Sequence, residues 1–127
     1  MSLDINIVVP KDRQLIQFYG DGKFKVSGVG FEGSILVFLE ETRAWSAKSI
    51  EDITLDTLKP IIDATDGVDL LLVGCGERFV PVPKGLRQGL KDAGIVLEWM
   101  DTGAASRTFN VLVAEERRVA AAILAVP

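Results

Sequence analysis

The N-terminal third of the chain carries the spacing of apolar and polar side chains that is typical of β-strands. Short apolar or alternating runs, separated by glycines and polar residues, favour strands over helices. The predicted strands cover residues 5–9, 14–19, 24–27 and 34–39. A turn is predicted at Gly20-Asp21-Gly22, because glycine adopts a positive φ without steric cost. This part of the chain is therefore expected to form an antiparallel β layer.

From residue 54 onward the apolar period lengthens, and helices alternate with strands. A first helix is predicted over residues 54–64, with Thr54 as its N-cap and Pro60 as a point where it splits or kinks. Its apolar face consists of Leu55, Leu58, Ile61 and Ile62. Pro83 and Gly94 bracket a second helix, and a third is predicted over residues 104–114. The strands between and after these helices cover residues 68–73, 95–100 and 119–126.

The order strand–helix–strand–helix–strand predicts the fold class, because such connections cross over between parallel strands. In residues 119–126 the β-branched ends favour a strand and the alanines favour a helix, and we interpret the segment as a strand. We therefore predict a single α/β domain over residues 1–127. It has a central mixed, mostly parallel sheet, covering helices and an N-terminal antiparallel β layer.

Charge and hydropathy restrict the partners and the location of the chain. With 14 basic and 18 acidic residues the net charge is −4, whereas nucleic-acid binding needs a concentrated basic face. No apolar run approaches the roughly 20 residues that span a bilayer, and the N-terminus lacks the basic region of a signal peptide. We expect no nucleic-acid partner, no transmembrane segment and a cytoplasmic location.

Two residue types are scarce, and their scarcity limits the chemistry. The chain has no histidine, which removes Ser-His and Cys-His catalysis and most zinc or iron sites. Its single cysteine, Cys75, forms neither an internal disulfide nor a thiolate cluster. Without a histidine to activate it, Cys75 is expected to be a buried or weakly reactive thiol rather than a nucleophile. The sequence therefore predicts no catalytic residue, no metal and no cofactor.

Two short motifs match known signatures, and each has a structural alternative. Gly28, Gly30 and Gly33 fit the pattern G-x-G-x-x-G, but a strand follows where a dinucleotide site needs a helix, so a glycine-rich hairpin is predicted. Asp101 begins Asp-Thr-Gly-Ala, the signature of aspartic proteases, which activate water with two carboxylates. The helix predicted after it does not fit that nearly all-β fold. Asp101 or Thr102 is instead expected to cap this helix.

Polar side chains and glycines follow two of the predicted strands, 68–73 and 95–100. Because the carboxyl ends of parallel neighbours meet at one sheet edge, the two loops are expected to converge on a pocket. The candidate pocket residues are Gly74, Cys75, Gly76, Arg78, Asp101, Thr102, Ser106, Arg107 and Asn110. The Arg78 guanidinium is suited to a bidentate contact with a carboxylate or phosphate. The alternative is a tight turn in which Arg78 forms a structural ion pair.

Several stretches, taken in order, resemble one protein family. They are GSILV at 33–37, Trp45, LLVGCG at 71–76, MDT at 100–102, and ASRTFNVL at 105–112 running on to ERRVAAA at 116–122. In this order and spacing they resemble a small domain of formerly unknown function. Its mitochondrial relatives include a complex I (NADH:ubiquinone oxidoreductase) assembly factor. The resemblance extends from about Ile16 to Pro127.

The resemblance implies a compact α/β domain whose final strand runs antiparallel to the rest, and it implies no catalytic residue. The chain lacks the targeting extension of mitochondrial members, which suits a bacterial cytoplasmic member. We therefore expect a non-enzymatic binding or assembly-factor-like protein with protein partners, in respiratory-complex or membrane-protein biogenesis. The alternative is an enzyme or sensor for a small anionic ligand, which Arg78 and Arg107 would hold between the loops at 74–78 and 101–107.

Overall fold

The strands form two sheets in a computed structural model, which describes residues 1–3, 10–64 and 67–127. The smaller sheet consists of β1 (Ile16–Gly20), β2 (Lys23–Val26) and β3 (Val29–Glu32). Its strands pair in chain order, and both pairs are antiparallel, which confirms the predicted N-terminal β layer. The strand predicted at residues 5–9 lies outside the described residues.

The hairpin between β2 and β3 explains the G-x-G-x-x-G match. Val26 pairs with Val29, so that Ser27 and Gly28 alone form the turn. Both turn residues have a positive φ, 46° and 85°, as the favoured two-residue hairpin turns require. The glycine-rich hairpin that the sequence predicted is therefore confirmed, and the motif precedes no helix.

The larger sheet has five strands. They are β4 (Ile35–Val37), β5 (Thr42–Ala44), β6 (Leu70–Gly74), β7 (Val96–Met100) and β8 (Val119–Ile123). Their order is β5-β4-β8-β6-β7. β6 is parallel to both of its neighbours, whereas β4 is antiparallel to both of its own. Four strands therefore share one direction, which confirms the mixed, mostly parallel sheet.

The final strand corrects one expectation. The resemblance implied that it runs antiparallel to the rest, but β8 is antiparallel only to β4 and is parallel to β6. A helix connects β7 to β8, and a helical crossover returns the chain in the direction of the preceding strand. The strand also ends at Ile123 rather than at residue 126. Beyond it, the Leu124 carbonyl accepts a hydrogen bond from the Thr102 hydroxyl, and the Ala125 amide donates to the Ser34 hydroxyl.

Helices occupy the connections after residue 49, beginning with a 3-10 turn over Ile50–Asp52. They are α1 (Lys59–Ile62), α2 (Leu86–Asp92) and α3 (Thr102–Ala114). Gly94 adopts a positive φ just after α2, as its predicted role at the helix end requires. α3 begins two residues before the predicted start at residue 104, because Asp101 caps it.

The helix predicted over residues 54–64 is wrong in its first half, since α1 begins only at Lys59. The Thr57 hydroxyl donates to the Asp52 carbonyl at 2.6 Å, and the Thr57 amide donates to the Thr54 hydroxyl at 3.1 Å. These local bonds hold the segment in a turn, and Leu55 is left 40% exposed. Pro60 lies in the first turn of α1, where its missing N–H group carries no cost.

Two apolar clusters cover opposite faces of the larger sheet. One contains Leu71, Val73, Leu97 and Trp99 and packs against α1, α2 and the 3-10 turn. The other contains Leu70, Leu72, Ala121 and Ile123 and packs against α3 and the smaller sheet. Residues 70–73 therefore contribute alternately to the two clusters, as the pleat of a strand covered on both faces requires.

Candidate functional site

The parallel pairing of β6 and β7 brings the two predicted loops together. The Cys75 amide donates to the Met100 carbonyl, and the Thr102 amide donates to the Gly76 carbonyl, both at 2.8 Å. The Gly76 amide donates in turn to the Thr102 hydroxyl at 3.2 Å. The loops after β6 and β7 therefore meet at one edge of the sheet, as the sequence predicted.

Gly74 ends β6 where the first turn of α3 crosses it. A Cβ atom at this position would lie 2.8 Å from Cγ2 of Ile123, 3.1 Å from Cα of Thr102 and 3.2 Å from Cβ of Ala105. Such separations are too short for carbon atoms, which pack at about 3.5–4.0 Å. The absence of a side chain at Gly74 thus lets α3 lie directly on the sheet, so this glycine has a packing role.

Three candidate residues form a buried polar stripe along α3: Thr102, Ser106 and Asn110. The Thr102 hydroxyl donates to the Leu124 carbonyl at 2.7 Å, and the Ser106 hydroxyl donates to the Thr102 carbonyl at 2.8 Å. No buried side-chain nitrogen or oxygen of the described residues lacks a hydrogen-bond partner. The hydroxyl groups of this stripe are therefore engaged within the fold.

Asn110 makes the longest-range contact of the stripe. Its amide nitrogen donates to the Ile16 carbonyl, and its amide oxygen accepts from the Ile16 N–H group, both at 2.8 Å. Asn110 thereby pairs with the backbone of β1 as a neighbouring strand would. The contact fixes the smaller sheet against α3, which gives Asn110 a clear architectural role.

Asp101 caps α3, as one of the two sequence alternatives predicted. Its Oδ1 accepts a hydrogen bond from the Ala104 amide at 2.8 Å. Because a helix begins at Thr102 within an α/β fold, the Asp-Thr-Gly-Ala motif lacks the β framework of an aspartic protease. The Thr102 and Ala104 amides are both occupied and the Asp101 carboxylate is negative, so this helix N-terminus does not favour a bound anion.

The two candidate arginines are exposed, unlike the polar stripe. Arg107 donates from Nη1 to the Tyr19 hydroxyl at 3.4 Å. Arg78 makes no side-chain hydrogen bond or ion pair with any of the described residues, whereas its carbonyl oxygen lies 3.5 Å from Sγ of the buried Cys75. The structural ion pair that was the alternative for Arg78 is thus not seen in the described part of the chain.

Tyr19 and Gly103 belong to this region and were not predicted from the sequence. A Cβ atom at Gly103 would lie 2.6 Å from the Tyr19 hydroxyl oxygen and 3.3 Å from Nη1 of Arg107. Gly103 therefore leaves room for the contact between β1 and α3. The available signal was a glycine in the first turn of a helix, which indicates close approach but not its partner.

Two surface cavities lie outside the candidate pocket. One, of about 400 Å³, has Phe38, Arg43, Pro60 and Val68 among its lining residues. The other, of about 450 Å³, is a groove between α3 and β7. Its lining residues are Asp69, Leu70, Leu72, Val96, Glu98, Met100, Thr108, Leu112 and Arg117. None of the nine predicted pocket residues lines either cavity.

One charged pair shows a clear electrostatic effect. Arg118 donates to both carboxylate oxygens of Asp69, from Nε at 3.1 Å and from Nη2 at 2.9 Å. These hydrogen bonds lower the pKa of the Asp69 carboxyl group and raise the pKa of Arg118. The pair connects the residue before β6 with the residue before β8. Its role is therefore structural, and it lies outside the candidate pocket.

Two absences among the described residues concern metals and membranes. No group of three or more Asp, Glu, Cys or His side chains among them is placed to hold a metal ion. Within the same residues no helix has both the length and the apolar character that crossing a membrane requires.

Comparison with known proteins shows a family match and several similar proteins. Residues 16–124 match the family described as "Protein of unknown function (DUF498/DUF598)". A protein of Rhodobacter capsulatus, described as uncharacterised, is 37% identical over 112 residues, which are 88% of this chain and 85% of that protein. The NADH dehydrogenase (ubiquinone) 1 alpha subcomplex assembly factor 3 of Xenopus tropicalis is 29% identical over 109 residues, which are 86% of this chain and 60% of that protein. The chain thus spans less than two thirds of that assembly factor.

A solved structure shows the same fold. A protein of Bartonella henselae, described as an outer membrane protein, superposes with a TM-score of 0.84 at 33% sequence identity. The match covers 94% of this chain and 100% of that chain. The arrangement of the two sheets and the helices is therefore common to both proteins.

Proposed function

The chain belongs to the DUF498/DUF598 family, and on this premise we propose that it is a non-enzymatic, assembly-factor-like protein that binds subunits of a respiratory complex during biogenesis. The observation that carries the proposal is the similarity to the complex I assembly factor, which extends over 86% of this chain. A function in a wider range of membrane-protein biogenesis is the broader form of the same proposal.

The geometry at the loops after β6 and β7 supports binding to a protein rather than catalysis. Thr102, Ser106 and Asn110 are buried and use their polar atoms within the fold, and Asp101 caps α3. A catalytic group needs to reach a substrate atom, whereas these side chains contact backbone groups of the chain itself. These side chains thus hold together the framework that presents the proposed binding surface.

The exposed side chains suit a protein partner. Phe79 lies in the loop after β6 and is 64% exposed, next to the exposed Arg78. Aromatic residues and arginines are enriched where proteins bind one another, because they combine apolar area with directional hydrogen bonds. We therefore include the tip of this loop, Arg78 and Phe79, in the proposed binding surface.

Affinity capture tests the proposal. The tagged chain, expressed at its native level in its own host, should recover subunits of NADH:ubiquinone oxidoreductase, identified by mass spectrometry. Recovery should fall for a chain with Phe79→Ser and Arg78→Ala, but not for one with Lys23→Ala and Lys25→Ala on the smaller sheet. Equal recovery by both variants would show that Arg78 and Phe79 are not part of the binding surface. Recovery of no respiratory subunit by the wild-type chain would contradict the proposed function.

A small anionic ligand is the second candidate, favoured by the exposed guanidinium of Arg78 on the loop after β6, which is bonded to the start of the helix that carries Arg107. If phosphate, a dicarboxylate or a nucleotide binds there, a hundredfold excess over the dissociation constant should stabilise the fold by about 2.7 kcal/mol. Thermal unfolding of the wild-type chain and of Arg107→Ala across such a panel tests this. Melting temperatures that no anion changes in either protein would exclude the candidate.

A further inference from the structure

Among the described strands, β7 forms one edge of the larger sheet and pairs only with β6. The Val96 amide donates to the Asp69 carbonyl at 3.0 Å, and the Met100 carbonyl accepts from the Cys75 amide at 2.8 Å. Backbone groups of alternate strand residues point to opposite sides, so those of Val96, Glu98 and Met100 point toward β6. The backbone groups of Leu97 and Trp99 consequently point away from the sheet.

These outward groups are only partly occupied. Nη1 of Arg87 donates to the Leu97 carbonyl at 2.7 Å. The Leu97 N–H group and both backbone groups of Trp99 have no hydrogen-bond partner among the described residues. Unpaired N–H and C=O groups along an edge are a template for a further strand.

The groove between α3 and β7 runs beside this edge. A helix is about 10 Å wide and strands lie about 4.8 Å apart, so a single helix covers roughly two strands. α3 packs on β6 and β8, and the side chains of β7 on the same face remain accessible, with Val96 59% exposed and Glu98 exposed. Leu70, Leu72 and Leu112 supply apolar walls. A side chain entering from the edge would therefore find an apolar site already formed.

Charge selects the kind of partner. Glu98 lies at the centre of β7 and forms no ion pair with a described residue, whereas Asp69 at the end of the groove pairs with Arg118. A second copy aligned over all five residues of β7 would place Glu98 opposite Glu98, and like charges directly opposite destabilise a strand pair. A basic residue opposite Glu98 has the complementary charge.

We propose that β7 binds an extended segment of a partner protein as an additional strand. A lysine or arginine of this segment lies opposite Glu98, and apolar side chains two positions to either side lie against Val96 and Met100. This inference rests on the proposed function, because it assigns the protein partner to a particular edge. The Leu97 carbonyl stays bonded to Arg87, so the segment bonds to the Leu97 N–H group and to both backbone groups of Trp99.

The acetylated and amidated peptide Thr-Val-Thr-Lys-Thr-Val-Thr is a suitable probe, since its lysine and both valines fall on one face of a strand. Nuclear magnetic resonance of the isotope-labelled chain should show slower hydrogen exchange at the Leu97 and Trp99 amides as this peptide is added. Glu98→Lys should weaken binding roughly tenfold and should favour the matching peptide with glutamate in place of lysine.

The smaller sheet offers matched controls on its own edge strand. Val29 is 55% exposed on β3, and Glu32 is exposed on the same strand. Val96→Lys should weaken binding of the lysine peptide roughly tenfold, whereas Val29→Lys and Glu32→Lys should leave it within about twofold of the wild-type affinity.

Three outcomes would overturn the inference. One is a rate of hydrogen exchange at the Leu97 and Trp99 amides that does not change up to the highest soluble concentration of the peptide. Another is hydrogen exchange at these amides that slows with rising concentration of the chain itself and not with added peptide. This result would show that a second copy of the chain binds to the edge of β7. The third is equal loss of binding in the Val96 and Val29 variants. If respiratory subunits are still captured by a chain with Glu98→Lys, the edge is excluded as the binding surface while the proposed function stands.

Discussion

At the scale of single residues, the polar side chains of α3 act in the framework. Thr102, Ser106 and Asn110 follow one another at every fourth position and therefore lie on one helical face. Together they bond the C-terminal segment, the helix itself and β1. The sequence placed these residues in a candidate pocket because they follow a predicted strand, but in the structure their partners are backbone groups.

Replacement of Asn110 by alanine should destabilise the fold. It leaves the Ile16 N–H and C=O groups buried without partners, and each such group costs about 1–3 kcal/mol. We expect the free energy of unfolding in urea to fall by at least about 2 kcal/mol. Thr108→Ala, on a half-buried position of the same helix, is the control and should change it by less than about 1 kcal/mol. Equal effects of the two substitutions would show that Asn110 does not join β1 to α3.

Gly74→Ala tests the close approach of α3 to β6. The added methyl group would overlap Ile123 and the backbone of Thr102, and overpacking of this kind costs about 1–3 kcal/mol. Gly30→Ala is the matched control, because no atom lies within 4 Å of a Cβ atom there. Thermal unfolding should show a lower melting temperature for the first variant only. An unchanged melting temperature for Gly74→Ala would mean that the helix moves away from the sheet without cost.

At the scale of elements, the strands of the core could be predicted from their apolar runs, but β5 could not. Thr42–Ala44 is a short edge strand with two exposed residues, so it lacks both a run and an alternation. The helix predicted from residue 54 is wrong in its first half for a different reason. Four apolar residues have helical spacing there, but the side chains of Thr54 and Thr57 form hydrogen bonds with nearby backbone groups and hold a turn instead.

Asp101 caps the start of α3. Two substitutions at this position distinguish the effect of its capping hydrogen bond from the effect of its negative charge. Asp101→Ala removes the acceptor for the Ala104 amide and should reduce stability by about 1 kcal/mol. Asp101→Asn keeps a capping oxygen and should restore most of that loss. The free energy of unfolding in urea at neutral pH is the measurement. Equal losses in both variants would indicate that the negative charge, rather than the hydrogen bond, matters.

At the scale of the whole molecule, the convergence of the loops could be predicted, whereas their use could not. Parallel neighbours place their carboxyl ends together, and β6 and β7 do so. The partners of Thr102 and Asn110, however, come from Leu124 and Ile16, which are remote in the chain. No local sequence pattern predicts that a buried polar side chain will form its hydrogen bonds with backbone groups so far away in the chain.

The pair of Asp69 and Arg118 makes overall stability depend on pH. Because Arg118 lowers the pKa of Asp69 in the folded chain, the folded state binds this proton more weakly than the unfolded state. The pair therefore stabilises the fold fully above the usual pKa of about 3.9, and the contribution is lost as pH falls through the lower folded value.

Asp69→Asn should accordingly lower stability at neutral pH and should differ less from the wild-type chain as the medium is acidified. Unfolding at low ionic strength, followed between neutral pH and about pH 2, measures this, since salt screens an exposed pair. Asp56→Asn, at another exposed position, is the control for a lost charge. A difference for Asp69→Asn that stays constant over the whole pH range would contradict the assignment.

The proposed function is that the chain binds protein in respiratory-complex assembly, while the polar stripe of α3 serves only the fold. The most direct measurement is the amount of fully assembled NADH:ubiquinone oxidoreductase on native gels of the host that lacks this chain. We expect a loss of the assembled complex, with its subunits still synthesised, and recovery on expression of the wild-type chain or of Ser106→Ala. An assembled complex at its normal level in the absence of the chain would contradict the claim.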